Sequence, residues 1–207
     1  MKLLHIDSSV LADQSVSRQL SAAITDKIRA DIPNLEIVYR DLVKQPLGHF
    51  TIAGVPPSDP HADLLPGDNS DPIAIAETEK ILAEFISADA IVIGAPMYNF
   101  TVPTQLKAWI DRILIAGRTF RYTAEGPLSL VGTKSVILAL SRGGLYGEES
   151  PAASFEHLES YLRSVFGFLG IQPQTVLAEG VAIGPEQRQA ALTDALACIA
   201  SLRIAEA

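Results

Sequence analysis

One cysteine, one tryptophan and two methionines are all that the 207 residues hold of those types. With Cys198 alone no intrachain disulfide can form, and no Cys/His metal cluster can be built around it. Its place in the last helical pattern marks it as a flanking or core thiol, with no base or cation beside it to activate it. His5, His49, His61 and His157 are scattered, and HExxH is missing, so no metal site is expected. Cations are also short: 16 Lys and Arg stand against 24 Asp and Glu, a net charge of -8. That balance disfavours nucleic-acid backbones and anionic membrane surfaces as partners.

Other absences narrow the chemistry. No apolar run approaches the ~20 residues that span a bilayer. The start, Met1 to Asp7, reaches an acid too early for a secretory signal, so a cytoplasmic location is expected. No GxGxxG follows the first apolar segment and no GxxxxGK[ST] occurs, which disfavours a dinucleotide fold of Rossmann type and a phosphate-loop NTPase. GxSxG is lacking too, and with it support for a hydrolase elbow. A receiver-type phosphoacceptor Asp is absent from the end of the third strand, where Pro96-Met97 stands instead.

What is present is apolar: 48% hydrophobic against 19% charged residues, enough for one folded domain over residues 1–207. Ala90 to Ala95 is a continuous run without polar alternation, as a strand covered on both faces requires. Strands are also expected at Lys2 to Asp7, Leu35 to Asp41, Ser135 to Leu140 and Gln174 to Leu177. Helical spacing joins Val16, Leu20, Ile24 and Ile28; then Thr78, Ile81, Leu82 and Phe85 in a helix from about Pro72 to Ser87. It recurs at Leu106, Trp109, Ile110, Ile113 and Leu114, in a helix over about 155–166, and at Leu192, Ala195, Leu196, Ile199 and Leu202. Five strands alternating with five helices predict a three-layer α/β sandwich with a parallel sheet. Between Gln45 and Pro72 six prolines and three glycines forbid a long regular element, and a loop of that length is expected to be disordered or a lid.

In such a sheet ligands sit beyond the carboxyl ends of the strands. Three of those ends carry suggestive residues. Ser9, Ser15, Val16 and Ser17 surround the start of a helix, whose unpaired N–H groups and positive dipole end favour a phosphate; ordinary helix capping explains the same serines. Met97, Tyr98, Asn99 and Phe100 form a polar, aromatic turn. Ser141, Arg142, Gly143 and Gly144 let the backbone approach a planar ligand, although a plain glycine turn would look alike. Together they fit a mononucleotide at a topological switch point.

The segments Ala95-Pro96-Met97-Tyr98-Asn99-Phe100, Thr104-Gln105-Leu106-Lys107, Thr119-Phe120-Arg121-Tyr122-Thr123, Ser141-Arg142-Gly143-Gly144 and Ala178-Glu179-Gly180 make the chain resemble, nearly end to end, the flavodoxin-like FMN-dependent NADH-azoreductases, also called FMN-dependent NADH:quinone oxidoreductases. The resemblance implies a five-stranded sheet of order 2-1-3-4-5 and tightly bound FMN. Ser9 and Ser15 to Ser17 would hold the phosphate; Met97 to Phe100 and Ser141 to Gly144 would line the ribityl chain and ring. It further implies NADH or NADPH as donor, quinones and azo compounds as acceptors in a two-step cycle, no catalytic side chain, and a homodimer with FMN at its interface. Tyr122 and Phe168 are pocket candidates; Trp109 and Phe166 read better as core. The rival reading is a one-electron carrier of flavodoxin type.

Overall fold

The computed structural model describes residues 1–56, 59 and 71–203. Strand β1 (Lys2–Asp7) feeds helix α1 (Val16–Asp31), followed by β2 (Glu36–Asp41), α2 (Pro72–Ser87), β3 (Ala90–Pro96) and α3 (Thr104–Ile113). A short hairpin, β4 (Phe120–Thr123) and β5 (Gly126–Ser129), precedes β6 (Ser135–Arg142), α4 (Glu159–Phe168), β7 (Gln174–Glu179) and α5 (Pro185–Ser201).

The main sheet is parallel, in the order β2-β1-β3-β6-β7, which is 2-1-3-4-5 when only its own strands are counted. Every residue of β3 is buried, as its unbroken apolar run requires of a central strand. Leu4, Ile6, Ile91, Ile93, Leu138 and Leu140 point to one face, where Phe85, Trp109 and Phe166 complete the larger core. Leu3, Val92, Ile137 and Val176 point to the other, beneath Leu20 and Ile24 of α1 and Ala195 and Ile199 of α5. The chain leaves β1 toward β2 on one side and returns through β3 on the other, so a crevice opens at their carboxyl ends.

Helix α1 lies close on that crevice. A Cβ on Gly94 would overlap Asp7 Oδ1 and come within 3.0 Å of Ser21 Oγ and 3.1 Å of the Ser17 carbonyl. The missing side chain is what lets the helix start approach the strand end.

Several expectations need correction. The β4–β5 hairpin has no counterpart among the expected strands, because Arg121, Tyr122 and Thr123 are exposed and Gly126-Pro127 interrupts any alternation. Helix α4 starts at Glu159 rather than near Phe155. The Glu156 carboxylate accepts the amides of Leu158, Glu159 and Ser160 and so sets the first turn, while Ala153–Phe155 form a separate 3-10 turn. Leu196 is half exposed and Cys198 exposed, so α5 buries a narrower stripe than its periodicity suggests and the thiol is not a core group. Of the proline-rich segment from Gln45 to Pro72, expected to be disordered or a lid, residues 57–58 and 60–70 lie outside the described residues; in the described part Ile52–Gly54 form a 3-10 turn, and Asp71 donates its amide to the Ala53 carbonyl at 2.9 Å.

Candidate active site

The chain leaves β1 through Ser8, whose buried hydroxyl donates to the Gly94 carbonyl at 2.8 Å and pins the first loop to β3. Ala12–Gln14 make a 3-10 turn, and Ser15 then caps α1 by accepting the Arg18 amide at 3.3 Å. The next two amides, of Val16 and Ser17, have no hydrogen-bond acceptor among the described residues. They face the positive end of the helix, where an anion is stabilised by the dipole and by direct N–H donation.

The second wall comes from the end of β3. Pro96 and Met97 continue the strand line, with the Met97 amide on the Ser141 carbonyl at 2.8 Å. Tyr98 and Thr101 exchange backbone hydrogen bonds across a two-residue turn in which Asn99 (φ 47°) and Phe100 (φ 75°) are both left-handed. Asparagine tolerates that conformation; phenylalanine is strained in it, of the order of 1–2 kcal/mol. The Phe100 ring, half exposed, leans on Phe155 at 5.3 Å and edge-on to Tyr146 at 6.4 Å between centroids.

The third wall is Ser141 and Gly143 at the end of β6. The amides of Gly143 and Gly144 have no acceptor among the described residues, while the Gly143 and Gly144 carbonyls accept from Ala182 and Gly180. A fourth wall, absent from the sequence reasoning, is the β7–α5 connection with Val181 and Ala182, and the first turn of α5 with Arg188. The strand-end rule applied to β7 as it was to the other strands would have found Val181 and Ala182.

These walls enclose a cavity of about 200 Å³. Of the residues expected there, Ser9, Ser15, Val16, Met97, Tyr98, Ser141 and Gly143 line it, joined by Leu11, Gln14 and Pro96. Ser17 lies behind Ser15, its buried hydroxyl 3.1 Å from the Ser15 hydroxyl. Asn99, Phe100 and Gly144 are adjacent in sequence to lining residues but do not line the cavity.

Arg142 is placed otherwise than expected. Its buried guanidinium donates to Glu159 at 2.8 Å and Glu179 at 3.2 Å, with Glu156 at 3.3 Å, and does not line the cavity. Glu179 also accepts the Tyr146 amide, so this cluster anchors the glycine loop from below. The Glu156 carboxyl is held below its ordinary range: burial works against the charged form, but the α4 amides and Arg142 outweigh it. Tyr122, largely exposed, and Phe168 both meet Phe120 edge-to-face, outside the cavity; Trp109 and Phe166 are core.

Beneath the first loop, Arg18 binds Asp41 through two 2.8 Å hydrogen bonds and holds the Ser9 carbonyl with Nε and Nη2, at 3.1 and 2.9 Å. Hydrogen bonding to Arg18 lowers the Asp41 pKa to about 2. Tyr39 donates to Asp7 at 3.0 Å, and burial followed by the Asp7 charge pushes its phenol up to about 12.

The site therefore offers hydroxyls and free amides at one end, and an apolar wall of Pro96, Met97 and Val181 with free glycine amides at the other. A phosphate on a flat heteroaromatic ring, as in FMN, matches both ends. The fold, with its crevice at the carboxyl ends of the strands, defines a flavodoxin-like α/β protein.

Comparisons with known proteins agree. A family model described as having a flavodoxin-like fold matches residues 1–202. An FMN-dependent NADH:quinone oxidoreductase 2 of Bradyrhizobium diazoefficiens is 54% identical, over 99% of this chain and 100% of the relative. An azoreductase structure from Bacillus anthracis str. Sterne superposes with TM-score 0.84 at 33% identity, covering 97% of each chain. An FMN-dependent NADH-azoreductase from Bacillus anthracis str. Ames Ancestor, solved with FMN, gives 0.79 at 25% identity over 97% of this chain and 98% of that one. The chain belongs to the FMN-dependent NADH:quinone oxidoreductase family of flavodoxin-like proteins.

Proposed function

We propose that this chain binds FMN in the crevice and uses NADH or NADPH to reduce quinones and aromatic azo compounds in a two-step, ping-pong cycle. The observation that carries the reading is the cavity with an anion cradle at the α1 start and a flat, amide-bearing wall opposite. The names of its relatives, FMN-dependent NADH:quinone oxidoreductase and azoreductase, supply the direction of the chemistry.

FMN, when bound, would supply the hydride-transfer chemistry between nicotinamide and acceptor. The protein's part is to bind and orient. Ser9, Ser15 and the amides of Val16 and Ser17 take the phosphate; Ser17 supports the cradle through its bond to Ser15. Met97, Tyr98, Ser141 and Gly143, which line the cavity, would flank the ribityl chain and ring, with Asn99, Phe100 and Gly144 bordering them, and the Gly143 amide would offer a hydrogen bond to negative charge on the ring. Arg142 contributes by holding that loop rather than by touching the ring. No side chain is required as acid or base.

The same reading makes the protein a homodimer whose partner completes each site. Val10, Leu11, Phe100, Leu145 and Phe155, on the loops bordering the cavity, are each about half exposed, and that apolar surface supports coverage by a second copy. Tyr122 and Phe168 would then serve as acceptor-pocket residues if the partner brings them near the flavin. A cytoplasmic location fits the absence, among the described residues, of any helix long and apolar enough to cross a membrane.

The test is visible absorption followed anaerobically in one cuvette. Flavin colour should bleach with NADH or NADPH and return on adding benzoquinone or an azo dye, and steady-state rates should give parallel double-reciprocal lines. Bound flavin that neither nicotinamide bleaches would favour the one-electron carrier; no flavin binding would overturn the reading.

A further inference from the structure

Two arginines approach the first loop, and they differ in what their guanidinium groups have left to offer. Arg18 is spent: its donors go to the Ser9 carbonyl, the Tyr39 hydroxyl and Asp41, and its charge is balanced by Asp41 at 2.8 Å and Asp7 at 3.8 Å. Arg188 is not. It rises from the first turn of α5, lines the cavity, and donates Nη2 to the Gln14 carbonyl at 3.1 Å, its only side-chain hydrogen bond among the described residues. It has no carboxylate partner among them and is the one charged residue of the cavity lining. A guanidinium carries five N–H donors in a planar fork suited to phosphate.

We propose that Arg188 is a phosphate-recognition residue: its free N–H groups, steered by the bond to Gln14, supply the full positive charge that the serine and amide cradle lacks, and so select a flavin bearing a phosphate over one without. The inference rests on the FMN reading given above. The physical need is plain. A phosphate monoester brings close to two negative charges at neutral pH, whereas a helix start contributes the equivalent of about half a positive charge. The chain as a whole is acidic, at -8. The bond to Gln14 also joins α5 to a loop 174 residues earlier, so the cation is held at the cradle by the fold and need not be recruited from solvent.

The experiment is a binding titration of flavin-stripped full-length protein, as wild type, Arg188→Gln and Arg188→Lys, with FMN and separately with riboflavin, at low and high salt. Far-ultraviolet dichroism checks that each variant folds. Arg188→Gln should lose roughly tenfold to a hundredfold in FMN affinity, the range of a charge-assisted hydrogen bond, with riboflavin affinity unchanged. Arg188→Lys should recover part of the loss, and the salt dependence of FMN binding should flatten in Arg188→Gln. Equal losses for both flavins would overturn the proposal and assign Arg188 to holding Gln14 alone; unchanged FMN affinity would overturn it outright. Wild-type protein that binds neither flavin would overturn the FMN reading and this inference with it, an outcome visible before any variant is made.

Discussion

Tyr98 Oη stands 3.1 Å from Ser9 Oγ and accepts the Val10 amide at 3.3 Å, so the end of β3 fastens the first loop across the mouth of the cavity. Removing that one oxygen in Tyr98→Phe takes away two neutral hydrogen bonds while keeping the ring. At about 0.5–1.5 kcal/mol for each of the two bonds the fold loses about 1–3 kcal/mol, so the melting temperature should fall, and FMN binding should weaken as well because the loop is no longer pre-set at the cavity. Fluorescence titration beside a thermal melt checks it; unaltered affinity would show that the loop holds its shape without Tyr98.

Asp41 gives a prediction in pH. Its folded pKa of about 2 lies below the ordinary 3.8, with the Arg18 hydrogen bonds as the main cause. A lowered carboxylate stabilises the fold fully above about pH 4 and ceases to do so as pH falls toward 2. Arg18 and Asp41 are well shielded, so the contribution is about 2 kcal/mol. The stability gap between wild type and Asp41→Asn, measured by urea unfolding, should be widest near neutrality and shrink by about that amount between pH 5 and about pH 2. A gap independent of pH would rule out this ion pair as its source.

Phe100 sits at φ 75°, where glycine is at ease. Phe100→Gly relieves about 1 kcal/mol of backbone strain and gives up half-exposed ring contacts to Phe155 and Tyr146. Stability should stay level or rise slightly while turnover with quinones falls, because the ring is retained at a conformational cost only where it serves the site. Melting curves and steady-state kinetics on the same preparation decide; a marked loss of stability would make the ring a packing element.

Arg142 faces three glutamates with its side chain almost wholly buried. Arg142→Met leaves them without their countercharge and should cost about 3–5 kcal/mol at neutral pH. The deficit should narrow on acidification toward pH 5, because Glu156, whose carboxyl Arg142 helps hold below its ordinary range, takes up a proton more readily once that countercharge is gone. Unfolding free energies at the two pH values test this, and a deficit that widens on acidification would contradict it.

The main sheet was legible in the sequence because parallel strands covered on both faces leave continuous apolar runs, and Ala90 to Ala95 is such a run. The hairpin was not: Arg121 to Thr123 is exposed and gives no alternation to follow. Ser9, Ser15, Met97 and Tyr98, expected from the strand-end rule, do line the cavity, because they follow strand ends directly. The ion pairs of Arg142 could not be read from the sequence, because its partners Glu156, Glu159 and Glu179 come from segments that only the fold brings together. Arg188 escaped notice for the same reason, lying on a helix whose amphipathic pattern says nothing of what its first turn touches.

The cavity is assembled from four stretches of chain lying between Ser9 and Arg188, no two of them contiguous. None encloses the cavity by itself, so it vanishes whenever α5 detaches or β6 slips. Occupancy is thereby coupled to the integrity of nearly the whole chain, and saturation at a hundred times Kd would add about 2.7 kcal/mol to global stability. Flavin supply then becomes a determinant of how long the polypeptide survives proteolysis: cells poor in FMN would hold less of the protein, not merely less of its active form.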